Sequence, residues 1–213
     1  MLMAMTRAQS QARTRALLVS EATRLFLERG FAATSLDAIG EAAGFTRGAV
    51  YSNFASKTEI GLAVLDGLYA SVAQSAGEAA ARVADQGPAR WIEVVAQSME
   101  SSIGAPRWAR LEVEVAASCT DEQVRESFGR RYAEMRASWQ RGFLAVHDPQ
   151  GSLTADPEQI ALLLVSALLG AGLQRAADPS IPFDRVVGAI RLVADALAPA
   201  GRADRRSASG PQP

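Results

Sequence analysis

Apolar residues recur at helical spacing along almost the whole chain. Between Gln11 and Arg29 they fall at Leu18, Ala22, Leu25 and Phe26, which is i, i+4, i+7 and i+8 on one face of an amphipathic helix. Gly30 then stands where a glycine ends a helix. Residues 1–9 lack periodicity and read as a flexible arm. A short second helix is predicted from a cap at Thr34 or Ser35 to Ala43, with Asp37 near its positive end. Gly44 supplies a turn, and Thr46 caps a third helix from Arg47 to about Asn53 whose inner face is Val50 and Phe54.

Ser56-Lys57-Thr58-Glu59 reads as a capping box opening a long fourth helix toward Val83. At 1.5 Å per residue that helix is roughly 40 Å long. Its inner residues are Leu62, Leu65, Leu68, Tyr69 and Val72. Further helices are predicted over Pro88–Ile103 and Pro106–Ser118, and from a cap at Thr120 through Phe128, Tyr132, Met135, Trp139 and Phe143. An apolar helix follows the Asp156-Pro157 cap, and a last one opens at Pro182 with Val186, Ile190, Val193 and Leu197 on one stripe. No stretch shows convincing period-2 alternation. The fold class is therefore all-α, with about nine helices. Four regions are expected: the arm over 1–9, a three-helix unit over 10–56, a larger helical domain over 57–198, and a disordered Gly, Ala, Arg, Ser and Pro tail over 199–213.

Composition narrows the function. Of 213 residues, 48% are hydrophobic and 21% charged, which fits a globular chain and excludes wholesale disorder. One cysteine (Cys119) cannot form an internal disulfide, and one histidine (His147) has no metal-binding neighbours, so neither metal nor cofactor is expected. The N-terminus lacks an apolar signal core, and the apolar run Ile160–Leu173 is shorter than the roughly 18 to 20 residues of a membrane span. A cytoplasmic protein without a membrane partner is expected. Net charge is −1, but residues 1–60 carry seven basic and five acidic side chains, against fifteen and eighteen beyond. This mild asymmetry permits a nucleic-acid contact near the N-terminus without arguing for one.

The informative stretch runs from Thr34 to Lys57. Two short helices joined by a glycine turn form a helix-turn-helix, in which the second helix presents its N-terminal residues to DNA base edges. Thr46, Arg47, Gly48 and Ala49 stand there. Gly48 and Ala49 are small enough for close approach, and Arg47 can take guanine O6 and N7 with a bidentate fork or hold a phosphate. Backbone N–H groups at both helix starts, with the Thr34, Ser35 and Thr46 hydroxyls, suit phosphates. Tyr51 lies one turn beyond Arg47, and Lys57, the only lysine, adds a point charge beside the next cap.

Over residues 13–65 the sequence resembles the DNA-binding domain of TetR-family (tetracycline-repressor-type) transcriptional regulators, through the ordered pattern from Gly44 to Lys57. The resemblance implies that Arg47, Gly48 and Ala49 touch bases, and that Thr34, Ser35, Thr46, Tyr51, Asn53 and Lys57 touch phosphates. Two residues depart from the family pattern: Gly40 replaces the usual alanine, and Asn53 stands where histidine is commoner.

The resemblance further implies a C-terminal domain that binds a small-molecule effector and dimerises. Trp91, Met99, Trp108, Tyr132, Met135 and Trp139, with Phe128 and Phe143, then either pack the core or line an effector cavity. The last two helices pair with their copies in a homodimer, through Leu163, Ser166, Ala167 and Gly170 and through Val186, Ile190 and Val193. The leading expectation is a ligand-responsive repressor that binds a near-palindromic double-stranded operator. A helical small-molecule binder without DNA recognition is the alternative. An enzyme is not expected, since no nucleophile–base pair or glycine-rich phosphate loop is present and Glu112 and Glu114 stand as scattered carboxylates.

Overall fold

The computed structural model describes residues 6–83, 86, 88–118, 122–147 and 156–197. Among them nine helices occur: α1 (Arg7–Arg29), α2 (Leu36–Ala42), α3 (Arg47–Tyr51), α4 (Lys57–Arg82), α5 (Pro88–Ser98), α6 (Pro106–Ala117), α7 (Glu122–His147), α8 (Pro157–Ala177) and α9 (Phe183–Leu197). The fold is all-α. Cys119, the cap expected at Thr120 and the tail over 199–213 lie outside the described residues, as do the side chains of Phe143, His147 and Val193.

The inner face read from α1 is the one buried: Leu18, Ala22, Leu25 and Phe26 meet Ile39 of α2, Val50 of α3 and Phe54 beyond it. Yet α1 starts inside the segment expected as an arm. Thr6 and Gln9 form a reciprocal capping box there, each side chain accepting from the other's backbone N–H. At the start of α4 the expected box is only half formed. Ser56 Oγ accepts from the Glu59 N–H at 3.1 Å, but the Glu59 carboxylate accepts from the Ala55 N–H at 2.7 Å and faces Arg15.

Gly44 has φ +73°, a region favouring glycine, and turns the chain between α2 and α3. Gly40 answers to crowding instead. A Cβ there would lie 2.7 Å from Val50 Cγ2 and 3.3 Å from the Phe45 carbonyl oxygen, so the missing methyl lets α3 close onto α2.

From this three-helix unit α4 runs into the larger domain and packs on α1, α5, α6 and α7, while α8 packs on α6, α7 and α9. One hydrophobic core joins the two parts. Pro88–Ile103, expected as one helix, ends at Ser98, and a run of turns carries residues 99–105 to Pro106. Arg175 of α8 holds these turns, donating to the Gly104 carbonyl and to the Ile181 carbonyl. Among the described residues, α8 alone is long and apolar enough to cross a membrane, with a mean hydropathy of 1.7 over its best window. Ile160, Leu164, Val165 and Leu168 bury one side of it; Leu162 and Leu163 stand on the open side.

Candidate functional site

Ser35 and Thr46 cap α2 and α3 from extended backbone. Ser35 Oγ accepts from the Ala38 N–H at 3.1 Å, and Thr46 Oγ1 from the Ala49 N–H at 3.4 Å. Both helix starts lie at the surface, with Thr46, Arg47 and Gly48 exposed, Ala49 half-buried and Val50 inside. The Arg47 side chain is 72% exposed; its Nη1 lies 3.5 Å from Asp37 Oδ2, and its guanidinium carbon 5.3 Å from the centre of the exposed Tyr51 ring. So exposed an ion pair holds weakly, and the guanidinium can leave Asp37 for a base edge or phosphate at little cost.

An open concavity of about 360 Å³ beside the start of α2 gathers Ser35, Tyr51 and Lys57. Lys57 Nζ donates to the Phe31 and Ala32 carbonyls at 3.0 and 3.2 Å and lies 4.6 Å from the Phe31 ring centre. An ammonium has three donors, so one remains. Two residues expected at phosphates use their polar groups internally instead. Thr34 is buried and donates to the Gly30 carbonyl at 2.8 Å, and the Asn53 amide folds back to donate to the Ala49 carbonyl at 2.8 Å.

A cavity of about 440 Å³ opens between α4 and α7. Met99, Met135 and Trp139 lie on its wall. Trp91 sits behind, its ring edge-on to Trp139 at 5.9 Å; Trp108 and Tyr132 pack around Tyr69. Sequence reasoning missed Asp66, Tyr69 and Arg131 on this wall. A signal existed: Arg131 stands four and eight residues before Met135 and Trp139, a charge within an apolar stripe.

Glu112 stands the same way on α6, between Trp108 and Val115, and is buried. Its Oε1 accepts from the Tyr69 hydroxyl at 2.7 Å and from the Tyr132 hydroxyl. Burial first, and the Glu112 charge second, push both phenols above their ordinary range. Two residues on, Glu114 accepts from the Ala32 N–H at 3.0 Å and from Arg110 Nε at 2.7 Å. Burial opposes its charged form, but these hydrogen bonds and the Arg110 charge outweigh that and hold the carboxyl below its ordinary value.

On the far side, Leu163, Ser166 and Ala167 of α8 are exposed, Gly170 and Val186 half-buried and Ile190 buried. Leu163, Ala167, Val186 and Ile190 line a mainly apolar groove of about 390 Å³ between α8 and α9. Leu192 of α9 is 73% exposed.

Residues 18–64, which carry the whole helix-turn-helix, match the family described as bacterial regulatory proteins, tetR family. Over that segment the chain is similar to the TetR family. It is 48% identical over 56 residues to the HTH-type transcriptional regulator TtgR of Pseudomonas putida. That alignment takes in 26% of this chain and 27% of TtgR, so the chain spans about a quarter of the curated relative's length. Solved structures of similar fold cover far more. A transcriptional regulator from Rhodococcus sp. RHA1 superposes with a TM-score of 0.71 at 20% identity, over 85% of this chain and 94% of that one. A TetR-family transcriptional regulator from Pectobacterium atrosepticum gives 0.64 at 26% identity, over 91% and 98%. The SmeT–triclosan complex gives 0.65 at 24% identity, over 94% and 99%.

Proposed function

We propose that this chain is a TetR-family, ligand-responsive transcriptional regulator, a cytoplasmic homodimer that represses by holding a near-palindromic operator and releases it when a small molecule binds. The observation that carries the reading is the edge of α3. Arg47, Gly48 and Tyr51 stand exposed beside the Ser35–Lys57 concavity, inside the segment that matches the family. Arg47 reads bases; Ser35, Thr46, Tyr51, Lys57 and the two helix starts hold phosphates. The domains divide near Ser56, where α4 leaves the DNA-binding unit.

Two copies must place their α3 helices in successive major grooves, roughly 34 to 36 Å apart. The apolar groove of α8 and α9, with Leu163, Ala167 and the Val186 stripe, supports pairing through those helices, because so open a greasy surface is costly in water. The α4–α7 cavity is the effector site, and SmeT, of similar fold, is known as a complex with triclosan. Effector binding shifts α4, which begins at Lys57, and so alters the spacing of the two α3 helices. A tenfold to hundredfold loss of operator affinity needs about 1.4 to 3 kcal/mol of differential binding.

The test is gel retardation of the duplex upstream of the gene at two salt concentrations. The wild-type protein retards it specifically. Arg47→Ala weakens binding and relaxes specificity at one or two positions, whereas Lys57→Ala weakens binding to every sequence and lowers the salt slope by about one. No specific retardation would leave a helical small-molecule binder. Equal effects of both substitutions on all sequences would reject the division of labour.

A further inference from the structure

We propose that the α4–α7 cavity takes an amphipathic organic acid, its anionic oxygen held by Arg131 and its apolar body lying against Val72, Met99, Met135 and Trp139. This rests on the effector-site reading above and adds the charge class of the ligand. The Arg131 side chain is 4% exposed. Its Nε and Nη2 both donate to one oxygen of Asp66, at 3.1 and 2.6 Å, and Nη2 also reaches Ser127 Oγ at 3.2 Å. Nη1 is buried with no hydrogen-bond partner among the described residues. A buried guanidinium with an unmet N–H is a standing cost, which an acceptor brought by a ligand relieves, most strongly when that acceptor is charged.

The surrounding charges point the same way. Asp66, the one carboxylate on Arg131, is 57% exposed and sits largely in water. Arg130, Arg141 and Glu134 also line the cavity and are exposed, and among the described residues neither arginine has an ion-pair partner. Three arginines against Asp66 and Glu134 leave the lining one positive charge in excess. A cationic ligand would add a second positive charge beside Arg131, and a neutral apolar one would leave Nη1 unmet. Glu112, the buried carboxylate that would favour a cation, is off this wall, and its Oε1 takes both tyrosine hydroxyls. Trp139 with the thioethers of Met99 and Met135 suits a flat aromatic body.

Calorimetric titration of the full chain with three probes sharing one ring system tests this: 1-naphthaleneacetate, 1-naphthalenemethanol and 1-naphthylmethylammonium. The acid is expected to bind about tenfold or more tighter than the alcohol, with the ammonium weakest. Arg131→Gln removes the preference for the acid while leaving alcohol affinity within about threefold, as expected if only the charged contact is lost. Should that variant unfold, the ranking of the three probes on the wild-type protein decides alone. Failure of the acid to bind at millimolar concentration, equal binding of acid and alcohol, or a preference for the ammonium overturns the inference. Gel retardation of the upstream duplex is scored separately. A protein that retards DNA but shows no preference for the acid loses only this inference, and one that prefers the acid but ignores DNA loses only the regulator reading.

Discussion

Gly40→Ala is expected to destabilise the chain although alanine is the better helix former. In an exposed helix interior the exchange gains about 1 kcal/mol. Here the new Cβ would lie 2.7 Å from Val50 Cγ2 and 3.3 Å from the Phe45 carbonyl oxygen, and Val50 is fully buried. Neither neighbour is the free end of a long side chain, so α2 and α3 must part; overpacking of this kind costs about 1 to 3 kcal/mol. The net expectation is a loss of about 1 kcal/mol, or roughly 2 to 4 °C in melting temperature for a chain of this size. Val50→Ala removes the obstructing methyls, so in that background the same Gly40→Ala exchange should stabilise, by about 1 kcal/mol. Urea unfolding of the wild type, both single variants and the double variant measures the coupling, expected to be about 2 kcal/mol. A stabilising Gly40→Ala in the wild-type background, or additive effects in the double variant, would refute the close-approach argument.

Two further outcomes are expected. Glu114→Gln should lower stability by about 1 kcal/mol near neutral pH by weakening the hold on Ala32 and Arg110. Because the folded protein holds this carboxyl below its ordinary 4.5, the contribution is full above that value and fades as pH falls through the lower folded one. The melting-temperature gap between wild type and variant should therefore close in acid; a gap unchanged or widened there would contradict the assignment. Leu163→Asp, on the open α8–α9 groove, should convert the proposed dimer into monomers by sedimentation while leaving helix content intact; an unchanged sedimentation coefficient would refute pairing through this groove.

The elements most legible in the sequence are those whose packing is periodic. Leu18, Ala22, Leu25 and Phe26 announce the inner face of α1, and the Thr34–Lys57 stretch carries its turn, caps and exposed edge in order. The first turn of α1 escapes notice because Arg7 to Ser10 face water, where apolar spacing has nothing to record. The cavity is only partly legible, since size alone does not say where a side chain goes. Met99, Met135 and Trp139 reach the wall, while Trp91 and Trp108 pack behind it. Arg131 and Glu112 are hidden differently. Their place within apolar stripes signals burial, but the partners from α4, Asp66 and Tyr69, are set only by tertiary packing. The inward turn of Thr34 depends likewise on tertiary closure, through the Gly30 carbonyl.

Helix α6 spans only Pro106–Ala117, yet it hangs two carboxylates from one short rod: Glu112 grips the tyrosines around the cavity, and Glu114 grips the Ala32 amide beside Lys57. A rod of three turns barely bends, so neither grip can shift without dragging the other. On the regulator reading proposed above, whatever displaces the Tyr69 and Tyr132 hydroxyls is thereby geared to the Ala32–Lys57 corner beside the α3 edge.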